Sequence, residues 1–231
     1  MSSIKTTTLN IRCDYGRFRL EKRNFIDIVV FSQGFWAVFA YRWTSFLLSS
    51  VRKRLGTRHR IVLHLVRYFC RTVQLFTEVF TGISLPAPAQ IGPGLLIPHY
   101  GPLVINHAAV IGANCFVHHG VTIGASGIGE RRGSPKLGDR VFIGANAVVV
   151  GPIAVGDDVM IGAGAVVTKS IPDRAIVVGN PAKIVSYRGS FDYVRYAGME
   201  QDDARANSIA LREPDERSTT EREALTALAR D

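Results

Sequence analysis

The chain has 231 residues, of which 47% are hydrophobic and 20% charged, so it is long and apolar enough for one domain or two small ones and excludes global disorder. Its 28 Lys and Arg exceed 19 acids for a net charge of +9, and the excess sits at the front. Residues 1–80 hold 14 basic and 4 acidic side chains, residues 81–190 hold 8 and 5, and residues 191–231 hold 6 and 10. Three widely spaced cysteines, Cys13, Cys70 and Cys115, form no CxxC pair, which excludes a zinc-finger or disulfide framework and fits a reducing cytoplasm.

The first ten residues are polar and lack the apolar core of a signal peptide. Residues about 24–82 read as helices. Phe25, Ile28, Val29, Phe35, Trp36, Phe39, Trp43 and Phe46 recur at mostly helical steps, Gly56 and Thr57 interrupt, and a second helix is expected at about 59–81. Asp27, Gln33 and Arg42 break the first apolar stretch and His64, Arg67, Arg71 and Glu78 the second, so neither reaches the ~18–20 residues of a membrane span. Two helices this aromatic need a partner surface. The basic charge on them fits peripheral contact with an anionic membrane face or simple oligomer packing, and no nucleic-acid motif accompanies it.

The middle third holds 17 of the 22 glycines and is periodic. Ile105, Ile111, Val117 and Ile123 lie six apart, as do Leu137, Ile143, Val149, Val155, Ile161 and Val167. Four residues after each register position comes another small or aliphatic one, such as Cys115, Val121, Val141, Ala147, Val159 and Ala165. Ile91, Ile97 and Leu103 keep the period with an offset of two. A six-residue period fits neither a helix nor strand alternation. It fits short parallel strands repeated around a prism, with one aliphatic side chain per face pointing inward. Glycine after the inward residue suits a crowded turn or a positive φ. The period fails between Ile123 and Leu137, so Ala125 to Lys136 leave the prism as a loop. Residues 191–231 are mixed in charge, with a short helix or disorder expected at Glu213–Asp231.

These hexapeptides resemble the hexapeptide-repeat acyltransferases, whose fold is a left-handed parallel β-helix. Four stretches resemble the serine acetyltransferase-like branch: Gly94 to Gly101 with Ile97-Pro98-His99-Tyr100, Gly120 to Gly124, Arg131 to Leu137, and Val178 to Val185 with Gly179-Asn180-Pro181-Ala182-Lys183. The resemblance divides the chain into an N-terminal helical region at 1–82, a β-helix acetyltransferase domain at 83–186 and a tail at 187–231. It implies acetyl transfer from acetyl-CoA to a hydroxyl, with His99 as general base and no metal. It implies that the coenzyme A arm lies along small residues between subunits, which points to Gly124, Ala125, Gly144, Ala145, Gly162 and Ala163. Lys169 and Lys183 become candidates for its phosphates. It also implies a homotrimer, with the helices able to join trimers further.

The sequence departs from the serine-specific pattern. Pro98 stands where that branch has an acid beside the catalytic His, Ser84 where a second acid is expected, and Ser134 where a second His precedes Pro135-Lys136. The chain ends Leu228-Ala229-Arg230-Asp231, unlike the tail by which serine-specific members dock to the next enzyme of cysteine synthesis. Pro98, Ser134, Arg132 and His119 are therefore taken to line an acceptor site for a neutral hydroxyl, most simply of a sugar or surface-polysaccharide precursor. His107 and His118 also sit within the coils, His118 close to the loop beside His119, and Arg131 with Arg132 is either solvated or acceptor-facing. Serine O-acetyltransferase, a non-catalytic hexapeptide scaffold and a β-helix of the carbonic-anhydrase kind with shared His ligands stay open as alternatives.

Overall fold

A computed structural model describes residues 4–21, 24–55, 59–129 and 132–211. The Gly56-Thr57 break, Arg131 and the Glu213–Asp231 segment lie outside the described residues.

Three stacks of short strands form the faces of a prism. The first face carries β2 (Gln90–Ile91), β4 (Val110–Ile111), β7 (Lys136–Leu137) and β10 (Ala154–Val155). The second carries β5 (Phe116–Val117), β8 (Phe142–Ile143), β11 (Met160–Ile161), β13 (Ile176–Val178) and, antiparallel at its end, β14 (Lys183–Ser186). The third carries β1 (Ile83–Ser84), β3 (Leu103–Ile105), β6 (Thr122–Gly124), β9 (Val148–Val150) and β12 (Val166–Val167). The chain visits the faces in turn, and all pairings except β13 with β14 are parallel. This is the parallel β-helix expected from the repeats.

The register explains the sequence spacing. Phe142 pairs with Met160 and Val148 with Val166, a step of three hexapeptides per coil. Gln90 pairs with Val110, which absorbs the offset of two upstream. Val110 pairs with Lys136, which absorbs the looped insertion. Every inward position from Ile105 to Val167 is buried, as are Cys115, Val121, Val141, Ala147, Val159 and Ala165 behind them. Each such aliphatic side chain contributes about 1.5–3 kcal/mol on burial.

The glycines of the repeat owe their place to crowding, not to backbone sign. At Gly112 a Cβ would lie 2.3 Å from the Gly138 carbonyl of the next coil. Left-handed backbone falls two residues later instead, at Asn114, Arg140, Asn146, Asp158 and Arg174. At the corner between first and second faces, Asp139, Asp157 and Asp173 form a ladder. Asp139 accepts from the Ala113 N–H, Asp157 from the Asp139 N–H, and Asp173 from the Asp157 N–H, all within 2.9 Å.

Helices stopper the front of the prism. α2 (Gln33–Leu55) inserts Ala37, Val38 and Tyr41 into the same core as Ile83, Leu85 and Ala89. The Tyr41 hydroxyl donates to the Ala89 carbonyl at 2.7 Å and accepts from the Ile91 N–H at 3.1 Å. α3 (Arg60–Thr81) packs on α2 and ends at Gly82, whose φ of 73° closes the helix through an N–H to the Glu78 carbonyl.

An unexpected helix, α1 (Ile4–Leu20), crosses this junction. Its Asp14 is buried and holds Arg42 of α2 through two bonds of 2.8 and 3.0 Å. Asp14 also accepts the Gly94 and Leu95 N–H groups, and Arg42 donates to the Ile91 and Gly92 carbonyls. One ion pair thus ties two helices to the first coil. At the other end the segment after β14 folds back, placing Phe142, Val194 and Tyr196 in one cluster. It carries a helix that the sequence does not announce, α4 (Asp203–Ala210), and Asp202 caps it by accepting the Arg205 N–H. Among the described residues no helix is long and apolar enough to cross a membrane.

Candidate active site

His99 is exposed at the corner where the chain leaves the second face for the third. The approach to it is rigid. Leu96 bridges Phe116, Ile97 is fully buried, and the Gly101 N–H donates to the Thr81 carbonyl at 3.0 Å. Gly34 of α2 lies against the Ile97 carbonyl so closely that a Cβ there would come within 1.9 Å of it. The helical layer therefore presses on the peptide two residues before His99.

Because Leu96 pairs with Phe116, the next coil delivers His118 and His119 to the same corner. The His99 ring lies 6.0 Å from His118 and 5.8 Å from His119, centroid to centroid. Phe116 stacks on His118 at 4.9 Å, and Phe142 meets its edge at 5.3 Å. Burial pushes the His118 imidazole below its ordinary value, and the neighbouring His99 and His119 push the same way. His119 Nδ1 is buried and has no hydrogen-bond partner among the described residues.

The same corner continues down the prism through Gly144-Ala145 and Gly162-Ala163, since Phe116 pairs with Phe142 and Phe142 with Met160. A Cβ on Gly144 would lie 2.5 Å from the Ala163 N, so the two turns stack with no room for side chains between them. The Gly164 N–H donates to the Ala145 carbonyl at 2.8 Å. The result is a histidine group above a tightly stacked column of turns in which Gly144 and Gly162 are buried, Ala145 is half-buried and Ala163 is exposed.

The remaining candidates lie elsewhere. Gly124-Ala125 end β6 at the corner between third and first faces, apart from Gly144 and Gly162. The looped insertion begins there and carries Arg132 and Ser134, so within one chain these also sit at a different corner from His99. Their separation within one chain follows from the order in which the chain visits the faces. Ser126 and Gly133 bond to each other in both directions at 3.0 Å, which pinches the loop at its base and leaves Ile128 exposed at its tip. Ser134 donates to the Asn106 Oδ1 at 2.9 Å, and His107 follows Asn106 at this second corner. Lys169 is exposed after β12, and Lys183 is exposed in β14 opposite Val178.

Ser84, at a place where an acid is expected, donates to the Glu78 Oε1 at 2.5 Å, and Gln74 donates to the same oxygen. Sequence reasoning passed over Glu78, whose only signal is its place one turn before the helix stop. Among the described residues no group of three His, Cys, Asp or Glu is arranged to hold a metal ion.

A family model for the bacterial transferase hexapeptide (six repeats) matches residues 134–169. A serine acetyltransferase of Mycobacterium tuberculosis is 41% identical over 132 residues, 55% of this chain and 58% of that protein. One of Synechococcus elongatus is 31% identical over 190 residues, 82% of this chain and 72% of that protein. Among solved structures, the serine acetyltransferase of Neisseria gonorrhoeae in complex with serine superposes with a TM-score of 0.64 at 29% identity, covering 80% of this chain and 71% of that one. That of Brucella abortus in complex with coenzyme A gives 0.63 at 31% identity, covering 78% and 66%. The chain thus spans between about three-fifths and three-quarters of these relatives' length. With the prism, its register and these likenesses together, the chain belongs to the hexapeptide-repeat transferase family, beside relatives named serine acetyltransferase.

Proposed function

We propose that the chain transfers an acetyl group from acetyl-CoA to an acceptor hydroxyl, with His99 as the general base. The carrying observation is the single corner on which His99, His118 and His119 stand above the stacked Gly144-Ala145 and Gly162-Ala163 turns. The exposed imidazole takes the proton of the hydroxyl as its oxygen attacks the thioester carbonyl. The carbon–sulfur bond then breaks, and the thiolate leaves with a proton as free coenzyme A. The small side chains of Ala145 and Ala163 leave room beside this column for the pantetheine arm, with Lys169 or Lys183 meeting the phosphates as point charges.

A homotrimer belongs to this reading. Gly124-Ala125, Arg132 and Ser134 occupy a corner distinct from that of His99. They reach the same ligand when the corner of one copy faces that of its neighbour.

The relatives favour L-serine as acceptor over the sugar hydroxyl expected from the sequence. One observation keeps the sugar reading as a second choice. Pro98 flanks His99 and Ser134 bonds to Asn106, so neither place supplies a carboxylate for a serine ammonium, and the one acid beside Ser84, Glu78, already accepts from Ser84 and Gln74 through Oε1. The test is thiol release from acetyl-CoA with L-serine and, separately, with a panel of sugars and nucleotide sugars. Turnover of serine alone supports the first acceptor, and turnover of a sugar alone the second. No release with any acceptor supports the scaffold reading. His99→Ala should reduce turnover by about 10²–10⁴-fold, the usual worth of a general base. Unchanged turnover in that variant would remove His99 from the mechanism.

A further inference from the structure

α3 is amphipathic the wrong way round for a core helix. Cys70 and Thr81 are its buried residues, while Ile61, Leu65, Tyr68, Phe76 and Val79 lie exposed on its outer side. Their successive spacings of four, three, eight and three residues place them on one arc of the helix. Tyr68 is 72% exposed, Phe76 60% and Val79 72%, and an apolar surface of this extent on a folded chain marks a contact site. Arg60, Arg67 and Arg71, all exposed, run along one flank of the arc. Between Asp27 and Glu78 the sequence has eight Arg and Lys and no acid. Glu78 itself is engaged by Gln74 and Ser84. Trp36, Phe39 and Trp43 of α2 add a further exposed aromatic group within the same uncompensated segment.

We infer that the outer face of α3 docks on an anionic lipid surface, lying in the headgroup plane with its apolar arc down and its arginines on lipid phosphates. Charge decides for lipid over a second copy of the same face. A face-to-face pair would supply no carboxylate to Arg60, Arg67 and Arg71, and in the antiparallel arrangement would set them against their equivalents. A bilayer offers both an apolar bed and negative charge. The helix lies on the surface and does not cross it, since its arginines interrupt every long apolar run.

The test uses the full chain with vesicles of phosphatidylcholine alone and of phosphatidylcholine with about one-third phosphatidylglycerol, followed by flotation at low and at about 0.5 M salt, where the Debye length falls to a few ångströms. Binding to the anionic vesicles at low salt should exceed that to neutral ones by at least about tenfold and should vanish at high salt. The double variants Tyr68→Ser with Phe76→Ser, and Arg67→Ser with Arg71→Ser, should each weaken it, with thermal midpoints near wild type because all four side chains are exposed. Absence of binding to anionic vesicles at low salt would overturn the inference. So would equal, salt-insensitive binding to both vesicle types. Sedimentation equilibrium closes the remaining route: a fall in oligomer mass in Tyr68→Ser with Phe76→Ser assigns the face to a second copy and overturns the lipid.

Discussion

Replacing Gly34 by Ala tests how the helical layer holds the candidate base. The new Cβ would lie 1.9 Å from the Ile97 carbonyl oxygen and 3.2 Å from the Ile97 Cβ. Ordinary contact with an oxygen needs roughly 3.4 Å, so the first turn of α2 or the Ile97 peptide must retreat by about 1.5 Å. Ile97 is fully buried in the prism, and Leu96 is bridged to Phe116, so the strand is the stiffer partner. Either α2 lifts or the Pro98-His99 turn rotates. Overpacking of this kind costs about 1–3 kcal/mol, offset by up to ~1 kcal/mol from the better helix propensity of Ala. The net loss is about 0–3 kcal/mol, a fall in thermal midpoint of roughly 0–12 °C for a chain of this size. The effect on rate is larger, since a misplacement near 1 Å costs about 10²-fold when a base must meet a hydroxyl in line. Free-thiol release from acetyl-CoA, with a parallel melt by circular dichroism, reads both quantities. A variant with wild-type turnover and an unchanged midpoint would refute the contact as a determinant of the site.

Three other outcomes follow from the same structure. Asp14→Ala should cost about 3–5 kcal/mol by urea denaturation, because it strands the buried Arg42 guanidinium without its carboxylate. His118 has a folded-state value below its ordinary one, so the unfolded chain takes up a proton there first. Stability should therefore be full above about pH 6.5, the unfolded value, and be lost as pH falls below it; His118→Gln should flatten that slope, measured as urea midpoints across the range. Of the three thiols, Cys13 is exposed while Cys70 and Cys115 are buried, and burial pushes Cys115 up to about 12. One equivalent should react promptly with a thiol reagent in the native protein, and Cys115 only after unfolding.

The prism was legible because its constraint is one-dimensional. An aliphatic residue every six positions is needed to fill the interior, and Ile105 through Val167 display it without reference to the rest of the chain. α1 was invisible for the opposite reason. Its docking rests on Asp14 and Arg17, two buried polar side chains, and on Phe18, so no apolar stripe announces it. The histidine group was half legible. His99 stood out by its neighbours in sequence, but its approach to His118 and His119 depends on a pairing of Leu96 with Phe116 that adds two residues to the usual coil. Three hexapeptides per coil set Gly124 on a different corner from Gly144 and Gly162, but which corners meet depends on packing between chains, which spacing within one chain does not contain. The role given to Ser84 missed Glu78, which reaches it from a helix that the hexapeptide pattern does not include.

A stack of parallel coils has two open edges, and each could recruit another chain by adding strands. Here Tyr41 occupies the backbone groups of Ala89 and Ile91 at one end, and β14 doubles back antiparallel on β13 at the other. Reversing the last strand sets its direction against that of any further parallel coil. The length of the rod is thereby fixed by its own caps, and growth along its axis is denied while its flanks stay free for neighbours side by side.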